Sequence, residues 1–123
     1  MSVPRFRAVV TDADYPDLDQ ERAILEAIGA ELIREDARSE DDLIRVTQGA
    51  DVVLNQFSLL TGRVVDSLDR CKGIVRYGVG YDNVDLEAAT RRGIVVCNVP
   101  DYGTDEVSDH AITLLLAGGV AVS

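Results

Sequence analysis

The chain has 123 residues and a formal net charge of −10 at neutral pH. It is therefore long enough for one domain, and its acidic surface disfavours binding to nucleic-acid phosphates. No apolar run approaches the ~20 residues of a membrane span, and the short apolar run after Arg7 is followed at once by Asp12, unlike a signal peptide. We expect a cytoplasmic protein without membrane or nucleic-acid partners.

Short, β-branched apolar runs alternate along the chain with helical patterns, and these runs predict five strands. The predicted strands are Ala8 to Thr11, Glu31 to Arg34, Val52 to Leu54, Ile74 to Arg76 and Ile94 to Cys97. Alternation of strands and helices with short connections predicts an α/β fold: a five-stranded, parallel, doubly wound sheet with right-handed crossovers. The flavodoxin-like strand order 2-1-3-4-5 is the default for five such units.

Residues that can cap a helix precede each of the first four helical patterns. These residues are Asp17, Ser39, Thr61 and Asp85. Gly29 and Gly93 are predicted to end the first and fourth helices, because glycine readily adopts the left-handed conformation that follows a helix.

The fifth helical pattern is predicted to begin at Thr104 and differs from the other four. Residues Ala111 to Ala117 are apolar nearly all round, whereas a surface helix shows a polar face. We expect this helix, over residues 104–117, to pair with another domain, a second subunit or a swapped partner. The alternative is a peripheral helix with irregular patterning. The predicted domain organisation is a flavodoxin-like domain over 1–103, followed by a terminal helix and tail over 104–123.

A loop with two glycines follows the fourth predicted strand, with the spacing Gly78-x-Gly80-x-x-Asn83. It differs from a dinucleotide fingerprint because the third glycine is missing and the next helix is short. Open α/β sheets bind ligands at the carboxyl ends of their strands, and glycines allow backbone N–H groups to surround an anion. The loop therefore predicts either a nest for a small carboxylate or phosphate, or a tight turn that needs positive φ.

Other candidate sites are less favoured by the sequence. The acidic residues after the first strand, which include Asp12, match neither a calcium loop nor a phosphoacceptor site, so we expect a solvated loop and a helix cap. His110 is the only histidine and has no nucleophile in a recognisable motif beside it, so no catalytic residue is predicted. Cys71 and Cys97 lack metal-binding spacing and are expected to be reduced thiols in the core.

Three motifs, in order, resemble those of the D-isomer-specific 2-hydroxyacid dehydrogenases. They are RYGVGYDNVD over 76–85, GIVVCNVP over 93–100 and EVSDHA over 106–111. The resemblance is strong over 73–117 and weak before residue 50. The segments Val79–Asn83 and Ile94–Pro100 are nearest the hydroxypyruvate/glyoxylate reductase and C-terminal-binding-protein branches.

The resemblance implies a function for the chain as the substrate-binding domain of an NAD(P)-dependent oxidoreductase. Its ligand would be a small 2-keto or 2-hydroxy acid, and the substrate-binding residues implied are Tyr77, Gly78, Val79, Gly80 and Asn83. Three further residues would lie near the cofactor in the complete enzyme. They are Pro100, Thr104 and Glu106.

The chain also departs from the family pattern. No counterpart of the nucleotide-binding domain, or of the family's catalytic Arg, Glu and His, is found in this sequence. We therefore expect no cofactor to bind the chain alone, NAD or NADP to serve the complete enzyme, and the chain by itself to be inactive and truncated. The alternatives are a stand-alone module that binds a small carboxylate or a protein, and a fold fragment without activity.

Overall fold

The computed structural model describes residues 6–13, 17–78, 83–99 and 109–114. Strands and helices alternate along these residues as the sequence predicts. In chain order they are β1 (Phe6–Val10), α1 (Asp19–Glu26), β2 (Ala30–Arg34), α2 (Glu40–Val46), β3 (Val52–Asn55), α3 (Gly62–Asp66), β4 (Gly73–Tyr77), α4 (Leu86–Arg91) and β5 (Val95–Val99).

The five strands form one parallel sheet in the order β2-β1-β3-β4-β5. Both the parallel direction and the order confirm the prediction. The register places Val9 beside Val53 and Val53 beside Ile74, so that the three central strands run side by side. The strand ends differ from the predicted ends by at most two residues; β5, for example, runs from Val95 to Val99 rather than from Ile94 to Cys97.

Alternate side chains of each strand enter separate cores on the two faces of the sheet. In β1, Val9 packs in the core under α2, α3 and α4, whereas Ala8 and Val10 pack in the core under α1. All three residues are fully buried. Burial on both faces explains why the strands are short apolar runs rather than alternating ones.

Three of the four predicted helix caps are confirmed. The side chains of Ser39, Thr61 and Asp85 accept backbone N–H groups three residues ahead, at 3.2, 3.4 and 3.0 Å. The prediction for Asp17 is wrong, because α1 begins at Asp19 and its N-cap is Leu18, which has no side-chain cap. The Asp17 carboxylate instead accepts the N–H of Asp19 at 3.1 Å, which makes a turn two residues long before the helix.

Residues 109–114 are helical and pack on the same face of the sheet as α1. Ala111 is fully buried, and Leu114 lies on β4 at Gly73, where a methyl group on the glycine would come within 2.3 Å of Leu114 Cδ1. Thr113 is exposed. The described part of this helix therefore buries one side against its own sheet; Thr104 and residues 115–117 of the predicted helix lie outside the described residues.

None of the helices in the described ranges has both the length and the apolar character that a membrane crossing requires.

Candidate functional site at the carboxyl edge of the sheet

The strand order changes direction between β1 and β3, and ligands of open parallel sheets bind where this happens, beyond the carboxyl ends of the strands. Asp12 follows β1, Asn55 ends β3, and Gly78 follows β4. We call this side of the molecule the carboxyl edge.

Gly78 turns the chain out of β4 with a φ of +116°, a conformation that side chains with a Cβ rarely adopt. This confirms the predicted positive φ. Its N–H donates to the carbonyl of Val99 at 2.6 Å, continuing the hydrogen bonding between β4 and β5. The expectation that the Gly78 amide would bind an anion is therefore corrected, since that amide already has an acceptor. Val79 and Gly80 lie outside the described residues.

Tyr77, another predicted substrate-binding residue, lies in the core. Its side chain is 1% exposed, and its hydroxyl donates to the buried carboxylate of Glu21 in α1 at 3.2 Å. This corrects the predicted substrate contact for the Tyr77 side chain. Tyr77 is the last residue of β4, and its ring takes the direction that alternation along the strand requires, toward the core under α1.

Asn83 joins two loops of the carboxyl edge through its side chain. Its Nδ2 donates to Asn55 Oδ1 at 2.8 Å, and it lies 3.0 and 3.2 Å from the carbonyl oxygens of Ser58 and Gln56. Its Oδ1 accepts from Nε of Arg76. Both ends of the Asn83 side-chain amide are thus bonded within the chain, and in this structure Asn83 holds the loops together. Its contact with substrate stays a prediction.

Asp12, at the carboxyl edge, has a different environment from the one that the sequence predicts. The residue is fully buried, and its carboxylate accepts the backbone N–H groups of Phe57, Ser58 and Gln56 at 2.7, 3.2 and 3.3 Å. The Thr11 hydroxyl donates to it at 3.0 Å. The expected solvated loop is therefore wrong at Asp12, because the loop after β3 folds over the carboxylate and removes it from water.

The charge on Asp12 is stabilised by these donors. Burial raises the pKa of its carboxyl, but the N–H groups of Phe57, Ser58 and Gln56 and the hydroxyl of Thr11 outweigh burial, so the pKa lies below the ordinary 3.8. The carboxylate is therefore ionised at neutral pH. The sequence places Asp12 two residues beyond the apolar run that forms β1, but nothing in the neighbouring residues shows that the loop after β3 covers it.

A groove of about 290 Å³ lies between the connections that follow β3 and β4. Its lining residues are Leu59, Leu60, Thr61, Gly62, Asn83, Val84 and Asp85. Leu60 bridges the two connections: its N–H donates to the Asn83 carbonyl at 2.8 Å, and its carbonyl accepts the N–H of Asp85 at 2.9 Å.

Phe57 and Leu59, at 55% and 60% exposure, are the most exposed large apolar side chains among the described residues.

The helix that follows the glycine loop, α4, does not fit the pyrophosphate of a dinucleotide. A pyrophosphate binds at the free N-terminus of a helix, but the N-terminus of α4 is closed by the Asp85 carboxylate, which accepts the N–H of Ala88. A negative charge at that place opposes a phosphate. Within the described ranges, no group of three or more His, Cys, Asp or Glu residues could hold a metal ion. Pro100, Thr104 and Glu106, the residues expected near a cofactor, lie outside these ranges.

The two cysteines are free thiols. Burial raises the pKa of Cys71 to about 12, and burial also raises the pKa of the half-buried Cys97. Both thiols are therefore protonated at neutral pH, as expected for small residues that pack rather than react.

The family model for the catalytic domain of the D-isomer-specific 2-hydroxyacid dehydrogenases matches residues 8–118. The chain belongs to this family. A glyoxylate reductase from Thermococcus kodakarensis is 43% identical over 76 residues, which are 61% of this chain and 23% of the reductase. A D-3-phosphoglycerate dehydrogenase from Methanocaldococcus jannaschii is 32% identical over 111 residues, or 90% of this chain and 21% of that enzyme.

Solved structures agree with this assignment. The NAD⁺-bound 3-phosphoglycerate dehydrogenase of Entamoeba histolytica matches with a TM-score of 0.69 and 31% identity, over 76% of this chain and 32% of that chain. The chain therefore has the fold of a D-2-hydroxyacid dehydrogenase domain, as the resemblance implied. It spans about a quarter of the length of the curated relatives named above.

Proposed function

We propose that this D-2-hydroxyacid dehydrogenase domain binds the carboxylate of a small 2-keto or 2-hydroxy acid at the loop between Gly78 and Asn83. In the complete protein, the bound acid would be the substrate of NAD- or NADP-dependent oxidation and reduction. The single observation that supports this most directly is the left-handed Gly78 directly after β4. The strand ends there, and its glycine turn lies at the carboxyl edge, where open parallel sheets bind ligands.

The hydrogen bond from Gly78 to Val99 narrows the choice of donors. Since that N–H is used by the sheet, the amides proposed to bind the carboxylate are those of Val79 and Gly80. Asn83 and Gly78 would act as the fixed ends of the loop. With a net charge of −10 the chain offers little basic surface, which favours backbone N–H groups in a concave loop as the hydrogen-bond donors to an anion.

The chain alone is proposed to be catalytically silent. Hydride transfer needs a cofactor held against the substrate, and the acidic cap of α4 occupies the place where a pyrophosphate would bind after the glycine loop. NADH mixed with the chain and glyoxylate, hydroxypyruvate or pyruvate should stay reduced. Oxidation above the blank would overturn this part of the proposal.

Binding of the acid is tested by titration calorimetry with the same three 2-keto acids. The unmodified chain should bind at least one of them, and Gly78→Val should abolish the heat, because valine cannot easily adopt a φ of +116°. Gly29→Val is the matched control: Gly29 also has a positive φ, of +85°, but lies in the turn before β2, at the opposite edge of the sheet. Absence of binding in the unmodified chain, or equal loss in both variants, would contradict the proposal.

We also propose that the helix over 104–117 pairs with a second copy or with another domain. The support is its apolar sequence from Ala111 to Ala117, together with the one-sided packing of its described part against β4. Light scattering at micromolar concentration should show a species larger than the monomer. A monomer alone would contradict pairing between copies.

A further inference from the structure

We propose that Asp12 is a positioning residue for the carboxyl edge. Its buried carboxylate holds the loop after β3 and, through Asn55 and Asn83, fixes the position of the last residue of the glycine loop after β4. The part of this inference that concerns ligand affinity rests on the proposed function. The part that concerns the loops does not.

The first link joins Asp12 to the loop after β3. Three consecutive N–H groups converge on one carboxylate: that of Phe57 on Oδ2, and those of Gln56 and Ser58 on Oδ1. Successive backbone N–H groups arranged in this way form a nest for an anion. Here the anion is a side chain of the protein, so the loop takes its shape from Asp12.

The second link joins that loop to β4. Asn55 Nδ2 lies 3.4 Å from Asp12 Oδ1 and 3.0 Å from the Ser58 carbonyl. Asn55 Oδ1 in turn accepts from Asn83 Nδ2 at 2.8 Å. Because Arg76 Nε donates to Asn83, a continuous series of hydrogen bonds runs from the end of β1, across β3, to β4.

The third step concerns the glycine loop itself. Its first residue, Gly78, is bonded to β5, and its last residue, Asn83, is held by Asn55 and by the backbone of the loop after β3. Of these two anchors, only Asn83 depends on Asp12. Loss of the carboxylate would leave the buried N–H groups of Gln56 and Ser58, and the partly buried one of Phe57, without their acceptor, and the loop would have to move to satisfy them.

A buried carboxylate can also act through general stability alone, and the chain provides a control for this. Asp51 is 7% exposed, and its carboxylate accepts the backbone N–H of Arg7 at 2.8 Å and pairs with Arg70 at 3.2 Å. It lies just before β3, at the amino edge of the sheet, so Asp51→Asn removes a buried charge and leaves the hydrogen bonds of the carboxyl edge in place.

The experiment compares Asp12→Asn with Asp51→Asn by amide NMR of the 123-residue chain. With glyoxylate, hydroxypyruvate and pyruvate as probes, Asp12→Asn should weaken binding by about tenfold or more, the effect expected when hydrogen bonds to a charge are lost. Asp51→Asn should change the affinity by no more than about twofold from that of the unmodified chain, because Asp51 shares no hydrogen-bond partners with the carboxyl edge. Equal weakening by both variants, or unchanged binding by Asp12→Asn, would overturn the proposal.

A ligand-free measurement separates this inference from the proposed function. If the unmodified chain binds none of the acids, the proposed function fails. The hydrogen exchange of the Asn83 side-chain NH₂, which bonds to Asn55, still tests the linkage. Asp12→Asn should speed exchange at residues 56–58 and at Asn83, whereas Asp51→Asn should not. Faster exchange at 56–58 with unchanged exchange at Asn83 would overturn the linkage.

Chemical rescue gives an independent arm. In Asp12→Gly, added formate can occupy the place of the missing carboxylate, and it should restore the resonances of residues 56–58 and of Asn83 together. Recovery of 56–58 without Asn83, or no recovery of either, would overturn the proposal. Should both Asp12 variants fail to fold, Asn55→Ala breaks the link between Asp12 and Asn83 while it leaves the Asp12 carboxylate and its three backbone donors in place. It should likewise affect Asn83 more than Asp51→Asn does.

Discussion

The two edges of the sheet each contain one buried aspartate, and the two are held in different ways. At the amino edge, Asp51 bonds one backbone N–H and a guanidinium, that of Arg70, whose side chain is 60% exposed. At the carboxyl edge, Asp12 bonds three backbone N–H groups of one loop. At the amino edge, Asp51 therefore joins segments that packing also aligns, whereas at the carboxyl edge Asp12 fixes three consecutive N–H groups of a single loop.

The largest expected effect tests this difference by stability. Asp12→Asn should lower the free energy of unfolding by about 3 kcal/mol, because an amide NH₂ would face N–H donors in a buried place. Asp51→Asn should lower it by about 1 kcal/mol, because its charged partner is largely in water. Urea unfolding followed by circular dichroism measures both values. Equal losses would mean that the two edges are not held differently.

A second prediction sharpens the comparison at the amino edge, where packing is expected to dominate. Gly73→Ala should lower the free energy of unfolding by about 2 kcal/mol, because the new methyl group would overlap Leu114 and displace the helix over 109–114. The same urea titration measures it. In the double variant Gly73→Ala with Leu114→Ala, the loss should be smaller than the sum of the two single losses. Additive losses would show that the helix does not rest on Gly73.

The smallest expected effect concerns pH. The pKa of Asp12 is lowered from 3.8 in the folded chain, so its contribution to stability is complete above that pH and is lost as the pH falls through the folded pKa. The stability difference between the unmodified chain and Asp12→Asn should therefore be constant near neutrality and shrink below about pH 4. Urea titrations from pH 7 to pH 3 measure it. A difference that grows on acidification would contradict the lowered pKa.

Much of the fold was predictable because it follows from local rules. The five apolar runs, the left-handed glycines at positions 29 and 93, and the capping residues at 39, 61 and 85 all appear in the structure. Because a parallel sheet is buried on both faces, its strands are short apolar runs, and these runs can be recognised in the sequence without a structure. Asp17 failed as a cap because α1 begins at Asp19, one residue later than a cap at Asp17 requires.

The site was less predictable, since its polar groups find partners far away in sequence. Asp12 is 45 residues from Phe57, and Asn83 is 28 residues from Asn55. Nothing local distinguishes an aspartate in water from one that a distant loop covers, and nothing local shows that the Gly78 amide is taken by Val99.

The amino-acid sequence by itself determined the class of fold, the order of the elements, the family and the place of the glycine turn, because periodicity, turn chemistry and motif spacing are properties of neighbouring residues. Only the tertiary structure decided which polar groups are free and which are used: it buried Asp12, turned Tyr77 into the core and bonded Asn83 on both sides. The physical reason is that hydrogen-bond satisfaction in a buried place depends on which segments the fold brings together.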